Sequence, residues 1–301
     1  MRLLDCICRV FIAILVTAPL IITLPSATVA DDYSSPDSSS ALAVYSEGPH
    51  VLWRDSSCVT VFYLCGDEIV SQDFESDDTV RFSGLCADSL REYKIPTETW
   101  QVEPAEYSGI SRVFAVSDLH GEYEVFESLL INAGIVDSAL NWSFGEGHLV
   151  VNGDVFDRGD RVTECLWLIY RLEQEAGESG GRVHFLLGNH EKMVLRGDLR
   201  YVHDSYKDGI VKKTRISYDD LFGPDMELGR WLRSKNTVIR IDSVLYVHAG
   251  IIPWIVDEGF TIDQINTAVR RALDLRSYDL AFGAEPGRFS AARGRSGTAV
   301  G

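Results

Sequence analysis

Apolar and polar positions change rhythm along the chain. Residues 10–24 form one apolar run, whereas residues 48–106 hold short pieces such as 50–53 and 59–64, separated by acidic or glycine-containing turns. Such pieces predict β-strands, so 48–106 is expected to be a small β-rich lobe. From residue 112 onward, continuous apolar runs at 112–116, 148–151, 182–187 and 244–247 alternate with stretches of helical spacing. The runs predict buried strands. Tyr123, Phe126, Leu129 and Leu130 form one helical stripe, and Val162, Cys165, Leu166, Ile169 and Leu172 form another. Strand and helix in alternation predict α/β layering.

The termini have a different composition. Arg2 and Arg9 accompany the first apolar run, and small residues lead from it to Thr28-Val29-Ala30 before Asp31-Asp32. This pattern predicts a secretory signal cleaved after Ala30. The run contains Pro19 and is shorter than the roughly 20 residues that span a bilayer, so no stable membrane span is expected after cleavage. The expected location is secreted, periplasmic or in the lumen of the secretory pathway. Residues 31–47, rich in Ser, Asp and Ala, read as a flexible leader. The expected organisation is therefore signal 1–30, leader 31–47, β-rich lobe 48–106, main domain 107–283 and a Gly/Ala/Arg-rich tail 284–301.

With 301 residues and 46% hydrophobic content, the chain can bury one large domain or a core domain with an appendage. Its net charge is −17. Setting aside residues 1–30, which carry Arg2 and Arg9 against Asp5, leaves −18. An acidic chain lacks the basic footprint that phosphate-backbone binding requires, so no nucleic-acid partner is expected. Cys6 and Cys8 would leave with the signal, which leaves Cys58, Cys65, Cys86 and Cys165. An exported chain meets conditions in which disulfides persist. Either Cys58 or Cys65 can be bridged to Cys86, and four cysteines allow three full pairings. Cys165, on an apolar helical face, reads as a buried free thiol. The acidic stretch 73–78 lacks the spacing of a calcium loop and reads as a solvated turn.

Four segments carry the candidate chemistry: Ser117-Asp118-Leu119-His120-Gly121, Gly153-Asp154-Val155-Phe156-Asp157-Arg158-Gly159, Gly188-Asn189-His190-Glu191 and His248-Ala249-Gly250. Each follows an apolar run. Carboxylate, imidazole and amide together suit Zn, Mn or Fe rather than a thiolate-bound structural zinc. Because ligands in such sheets gather beyond the carboxyl ends of strands, segments distant in sequence can converge at one edge. His50, His148 and His184 belong to no such constellation, and His203 reads as a structural or pocket residue.

The order and wording of these motifs resemble the calcineurin-like metallophosphoesterases of the phosphoprotein phosphatase superfamily, in particular the Shewanella-like protein phosphatases. The specific cues are Phe156 within Gly-Asp-x-Phe-Asp-Arg-Gly, the stretch Gly197-Asp198-Leu199-Arg200-Tyr201-Val202-His203, and Trp231-Leu232-Arg233-Ser234-Lys235-Asn236-Thr237. The likeness covers roughly residues 112–282, with Ser117 where the wider superfamily has glycine. It implies a β-sandwich flanked by helices in α-β-β-α layers and two divalent metal ions. Asp118 and His120 would hold the first metal, Asp154 would bridge both, and Asn189 with His248 would hold the second. Arg158 would clamp phosphate, and His190, oriented by Asp157, would protonate the leaving oxygen.

That resemblance implies hydrolysis of phosphomonoesters by in-line attack of metal-bound hydroxide, on phosphoproteins bearing phosphotyrosine or phosphoserine/threonine or on a small phosphoester. A dinucleoside polyphosphate or nucleotide hydrolase is the alternative enzyme. The family's Gly-Pro-x-Trp-Tyr-Arg-Gly and Gly-His-Thr motifs are missing, and no histidine follows His248. The domain is therefore expected to be incomplete at its C-terminal end, and a further alternative is a catalytically impaired phosphate-binding protein.

Overall fold

The first strands form where apolar and β-branched residues cluster. In the computed structural model, which describes residues 46–76, 78–86 and 92–273, β1 (Ser46–Trp53) pairs antiparallel with β2 (Cys58–Cys65), and β2 pairs antiparallel with β3 (Glu68–Glu75). Val59, Val61, Phe62, Tyr63 and Leu64 of β2 are all buried, whereas the polar β3 is mostly exposed. A separate antiparallel pair, β4 (Thr79–Ser83) and β5 (Glu92–Pro96), buries Val80, Phe82 and Ile95. A disulfide joins Cys65 at the end of β2 to Cys86; Cys58 and the buried Cys165 are free thiols. Within the expected acidic turn, Asp73 belongs to β3 and accepts a 2.6 Å hydrogen bond from Thr60.

β1 starts at Ser46, inside the segment expected to be leader. The reason is Glu47, whose buried carboxylate accepts a 2.5 Å hydrogen bond from Thr163 and lies 3.1 Å from His50 Nε2. The signal, the rest of the leader and the tail lie outside the described residues. Among those described, no helix is long and apolar enough to cross a membrane.

After β6 (Glu106–Tyr107), the chain alternates as its apolar runs predict: β7 (Val113–Val116), α1 (Tyr123–Asn132), β8 (His148–Val151), α2 (Val162–Glu178), β9 (Arg182–Phe185) and α3 (Asn189–Leu195). The three strands form a parallel sheet in the order β7-β8-β9. In α1, Tyr123, Phe126 and Leu130 are buried while Leu129 is exposed; in α2 the whole expected stripe is buried. The helix α2 also buries Trp167, Leu168 and Tyr170, because β1 covers its other side and Trp167 Nε1 donates to Pro49 O at 2.8 Å.

The chain continues through the short helices α4 (Asp204–Tyr206) and α5 (Lys212–Thr214), then α6 (Glu227–Arg233), β10 (Val238–Ile241), β11 (Val244–Val247), α7 (Pro253–Asp257) and α8 (Ile262–Leu273). β10 pairs antiparallel with β11 and parallel with β6, giving a second sheet. The two sheets face one another, as residue alternation in β8 shows. Leu149 and Val151 join the core formed with α1 and α2, while Val150 points the opposite way, into a cluster with Leu186, Ile239 and Ile241. On α8, the buried Asn266 accepts from the backbone N–H groups of Thr237 and Val238, both at 2.9 Å, and donates to Val238 O at 2.8 Å. These bonds seat the helix against β10 and complete the α-β-β-α layers.

Candidate metal centre

Strands β7, β8 and β9 run parallel, so their C-terminal ends share one edge, and the loops leaving them meet there. The loops are tightly wound. Five of the eight non-glycine residues with positive φ among the described residues are Asp118, His120, Asp154, Asp157 and Arg158, so left-handed turns concentrate where the motifs lie. Bare backbone lets the loops touch. A Cβ on Gly153 would stand 2.7 Å from Gly188 N and 3.1 Å from His248 Nδ1, and one on Gly188 would stand 2.3 Å from Asp154 Oδ1.

Three imidazoles are anchored in the same manner. Nδ1 of His120 lies 2.7 Å from Phe156 O, Nδ1 of His248 lies 2.8 Å from Asn152 O, and Nδ1 of His190 lies 2.6 Å from Asp157 Oδ2. Those oxygens only accept, so each Nδ1 carries the hydrogen and each Nε2 is left to face the site. All three Nε2 atoms converge on Asp154 Oδ2, at 4.0 Å from His120, 3.0 Å from His248 and 3.9 Å from His190. Separations near 4 Å are too long for hydrogen bonds. His120 Nε2 is accordingly buried without a partner.

An unpartnered buried nitrogen is costly unless something satisfies it. A divalent cation would do so here, because candidate ligand atoms are grouped beside it. His120, Asp154 and His190 form one such group and Asp118, Asp154 and His248 a second, with the candidate ligand atoms in each group within 4.8 Å of one another. Asp154 belongs to both. The Asp118 side chain is 59% exposed, with Oδ1 3.9 Å from His120 Nε2. Asn189, next to His190 at the head of α3, is also exposed, and its Nδ2 lies 4.0 Å from Met193 Sδ. Arg158 is exposed at the rim, and among the described residues its guanidinium has no ion pair or hydrogen bond. Its backbone N–H donates to Tyr201 O at 2.9 Å. Burial pushes the Asp157 carboxyl above its ordinary pKa, against the opposing hydrogen bond from His190. Outside this edge, His203 caps α4, with Nδ1 accepting from Ser205 N–H.

The calcineurin-like phosphoesterase family model matches residues 111–288, more than half of the chain and all four motif loops. The chain belongs to this family. It is 26% identical to Shewanella-like protein phosphatase 2 of Arabidopsis thaliana over 246 residues, 68% of this chain and 60% of that protein. It is 25% identical to Shewanella-like protein phosphatase 1 of Plasmodium berghei, over 54% of this chain and 45% of that protein. A Buchnera aphidicola symmetrical bis(5'-nucleosyl)-tetraphosphatase is 31% identical over 46% of this chain and 44% of its own. The chain thus spans about half the length of the curated relatives it matches. Among solved structures, the cold-active protein-tyrosine phosphatase of a psychrophilic Shewanella superimposes with a TM-score of 0.73 at 42% identity, covering 79% of this chain and 71% of that one.

In this member of the family, one acidic residue without an assigned role in the sequence organises the centre. Glu191 is fully buried, and its carboxylate accepts from the N–H groups of Asp154 (2.9 Å), Val155 (2.7 Å), Phe156 (3.3 Å) and Gly188 (2.7 Å). It therefore ties the loop that carries Asp154 to the start of α3. The Gly188-Asn189-His190-Glu191 wording contains the residue, but a charged side chain in a loop gives no sign of burial. Ser117 also contributes. Its Oγ lies 2.6 Å from Asp118 Oδ2 and 3.0 Å from Asn152 O, fixing the exposed aspartate beside the His248 anchor.

Proposed function

We propose that this phosphoesterase is a dinuclear-metal phosphomonoester hydrolase acting on phosphoproteins, phosphotyrosine among its substrates. The observation carrying this reading is the convergence of three Nδ1-anchored imidazoles on Asp154, with an exposed Arg158 in the loop that follows. Asp118, His120, Asp154, Asn189 and His248 would hold the metals, which suit Mn, Zn or Fe by donor chemistry; His190, although its Nε2 falls within one candidate ligand group, is read as the proton donor because Asp157 holds its Nδ1. When bound, such ions polarise a phosphoryl group and acidify water.

The remaining chemistry belongs to the chain. The Arg158 guanidinium, a planar fork without an ion pair or hydrogen bond among the described residues, binds two phosphoryl oxygens and fixes the ester's orientation. The buried Asp157 carboxylate holds His190 by Nδ1 and so directs Nε2 at the site, from which a proton can pass to the leaving oxygen. Ser117 and Glu191 hold Asp118 and the Asp154 loop in place. The phosphotyrosine preference is supported by the named activity of the Shewanella structure, whose likeness extends over most of this chain. The tetraphosphatase likeness covers less than half of it. Export is proposed from residues 1–30, and a Cys65–Cys86 disulfide suits an oxidising compartment.

The test is turnover of p-nitrophenyl phosphate by the chain stripped of metal and reloaded with Mn, Zn or Fe, with bound metal counted. Phosphotyrosine peptide, phosphoserine peptide and diadenosine tetraphosphate are then compared. Chelator-sensitive turnover with about two ions is the expected result. A folded, metal-loaded chain that binds phosphate without turnover would replace the hydrolase reading with that of a phosphate-binding protein.

A further inference from the structure

The stretch 197–203 has no task in the reading above, yet the structure brings Tyr201 to the metal edge. The Tyr201 ring lies 5.5 Å from the His190 ring, at an interplanar angle of 53°. Its carbonyl receives the Arg158 N–H at 2.9 Å. The Arg200 guanidinium sits 5.5 Å from the tyrosine ring centroid and is itself held by Asp198 through two 2.8 Å bonds. The Asp198 N–H donates to Met193 O at 2.9 Å, on the helix that begins with Asn189 and His190. Tyr201 is thus tethered on one side to Arg158 and on the other to α3, and it is still 49% exposed. An aromatic ring fixed this firmly and left half open presents a face to whatever enters the site.

The direction of the substrate follows from chemistry. If Arg158 clamps the phosphoryl group and His190 protonates the leaving oxygen, the first atoms of the leaving group lie on the His190 side. Tyr201 flanks both residues. Resting on the phosphomonoesterase reading above, we propose that Tyr201 is a specificity-determining residue that reads the leaving group and favours aryl over alkyl phosphates. An aryl ring can pair with Tyr201 in an offset or edge-on arrangement, which an alkyl chain cannot do. Aromatic pairing of this kind is worth roughly a threefold to tenfold gain in affinity. A tyrosine that merely oriented His190 would affect all ligands alike.

Phenylphosphonate and methylphosphonate, which are not hydrolysed, separate the two roles. Their affinities are measured by calorimetry for the metal-loaded full chain, for Tyr201→Phe and for Tyr201→Leu, at a pH where both ligands are dianions. The wild type and Tyr201→Phe are expected to prefer phenylphosphonate by roughly threefold to tenfold, with the ratio falling to about one in Tyr201→Leu. A ratio unchanged in Tyr201→Leu, an equal weakening of both ligands, or no preference in the wild type would overturn the assignment. Absence of binding by either ligand would overturn it as well. Hydrolysis of phenyl phosphate is scored separately. A preserved aryl preference without turnover would remove the hydrolase reading and leave Tyr201 its role, whereas turnover without aryl preference would do the reverse.

Discussion

Replacing Glu191 by glutamine changes one atom of a fully buried side chain while keeping its shape. Oε1 accepts from Val155 and Phe156, and Oε2 accepts from Asp154 and Gly188. Burial pushes the carboxyl above its ordinary pKa, and these backbone donors oppose that shift. In Glu191→Gln one oxygen becomes an amide group that donates, so two backbone N–H groups lose their acceptor and face other hydrogens. At about 1–3 kcal/mol for each buried donor left unsatisfied, the variant should lose about 2–6 kcal/mol. That is a large share of the ~5–15 kcal/mol by which domains are stable. Urea unfolding reads the loss as a lower midpoint at an unchanged slope. Metal affinity should fall in parallel, because the clamped loop carries Asp154. A loss below about 1 kcal/mol with unaltered metal binding would refute the clamp, since the loop would then hold its shape without the charge.

Other expectations follow from the same geometry. Asp154→Asn removes the carboxylate shared by both ligand groups. Metal counting should show loss of bound ions with loss of turnover, and wild-type rates in a folded sample would rule out the two-metal mechanism. Arg158→Ala should raise KM and the dissociation constant for phosphate while leaving metal content intact, and steady-state kinetics with metal analysis checks both. The pH dependence of stability should show two opposed limbs. Burial, followed by the neighbouring His148, pushes His184 down to about 3 from an ordinary 6.5, so its contribution is fully present above pH 6.5 and is lost as pH falls toward 3. Burial and then the nearby Glu47 push Glu164 up to about 7 from 4.5, so its contribution is present below pH 4.5 and is lost as pH rises through 7. Between pH 4.5 and 6.5 the two oppose each other. Glu164→Gln should therefore make stability rise more steeply with pH there, and urea midpoints that do not steepen would contradict the assignment.

Much of the scaffold was legible because burial leaves a periodic trace. The run at 148–151 is β8, residue for residue, and the stripe from Val162 to Leu172 is buried throughout. Other features left no such trace. β10 contains Arg240 among its apolar residues and β6 is two residues long, so neither forms a run; β6 exists through its pairing with the distant β10, and β10 through that pairing and its hairpin with β11. The choice of Cys65 over Cys58 as the partner of Cys86 also depends on where β2 ends relative to β4. Trp167 and Tyr170 lie off the α2 stripe and are buried only because the N-terminal strands and α6 cover that side: Trp167 bonds Pro49, and Tyr170 bonds Glu227 at 2.9 Å.

The same division runs through the metal centre. Asp118, His120, Asp154, Asn189 and His248 stand out in the sequence as candidate ligands, and His190 as a candidate proton donor, because that chemistry belongs to the side chain and the motif spacing marks it. Their orientation depends on groups that have no side-chain signature: the carbonyls of Phe156 and Asn152 fix two imidazoles, and four backbone amides hold Glu191. Every residue carries a carbonyl, and nearly every residue an amide hydrogen. Sequence alone determined which side chains carry candidate ligand chemistry, whereas the parallel strands ending at one edge decided which backbone dipoles stand behind them, because that proximity arises only when residues tens of positions apart are packed together.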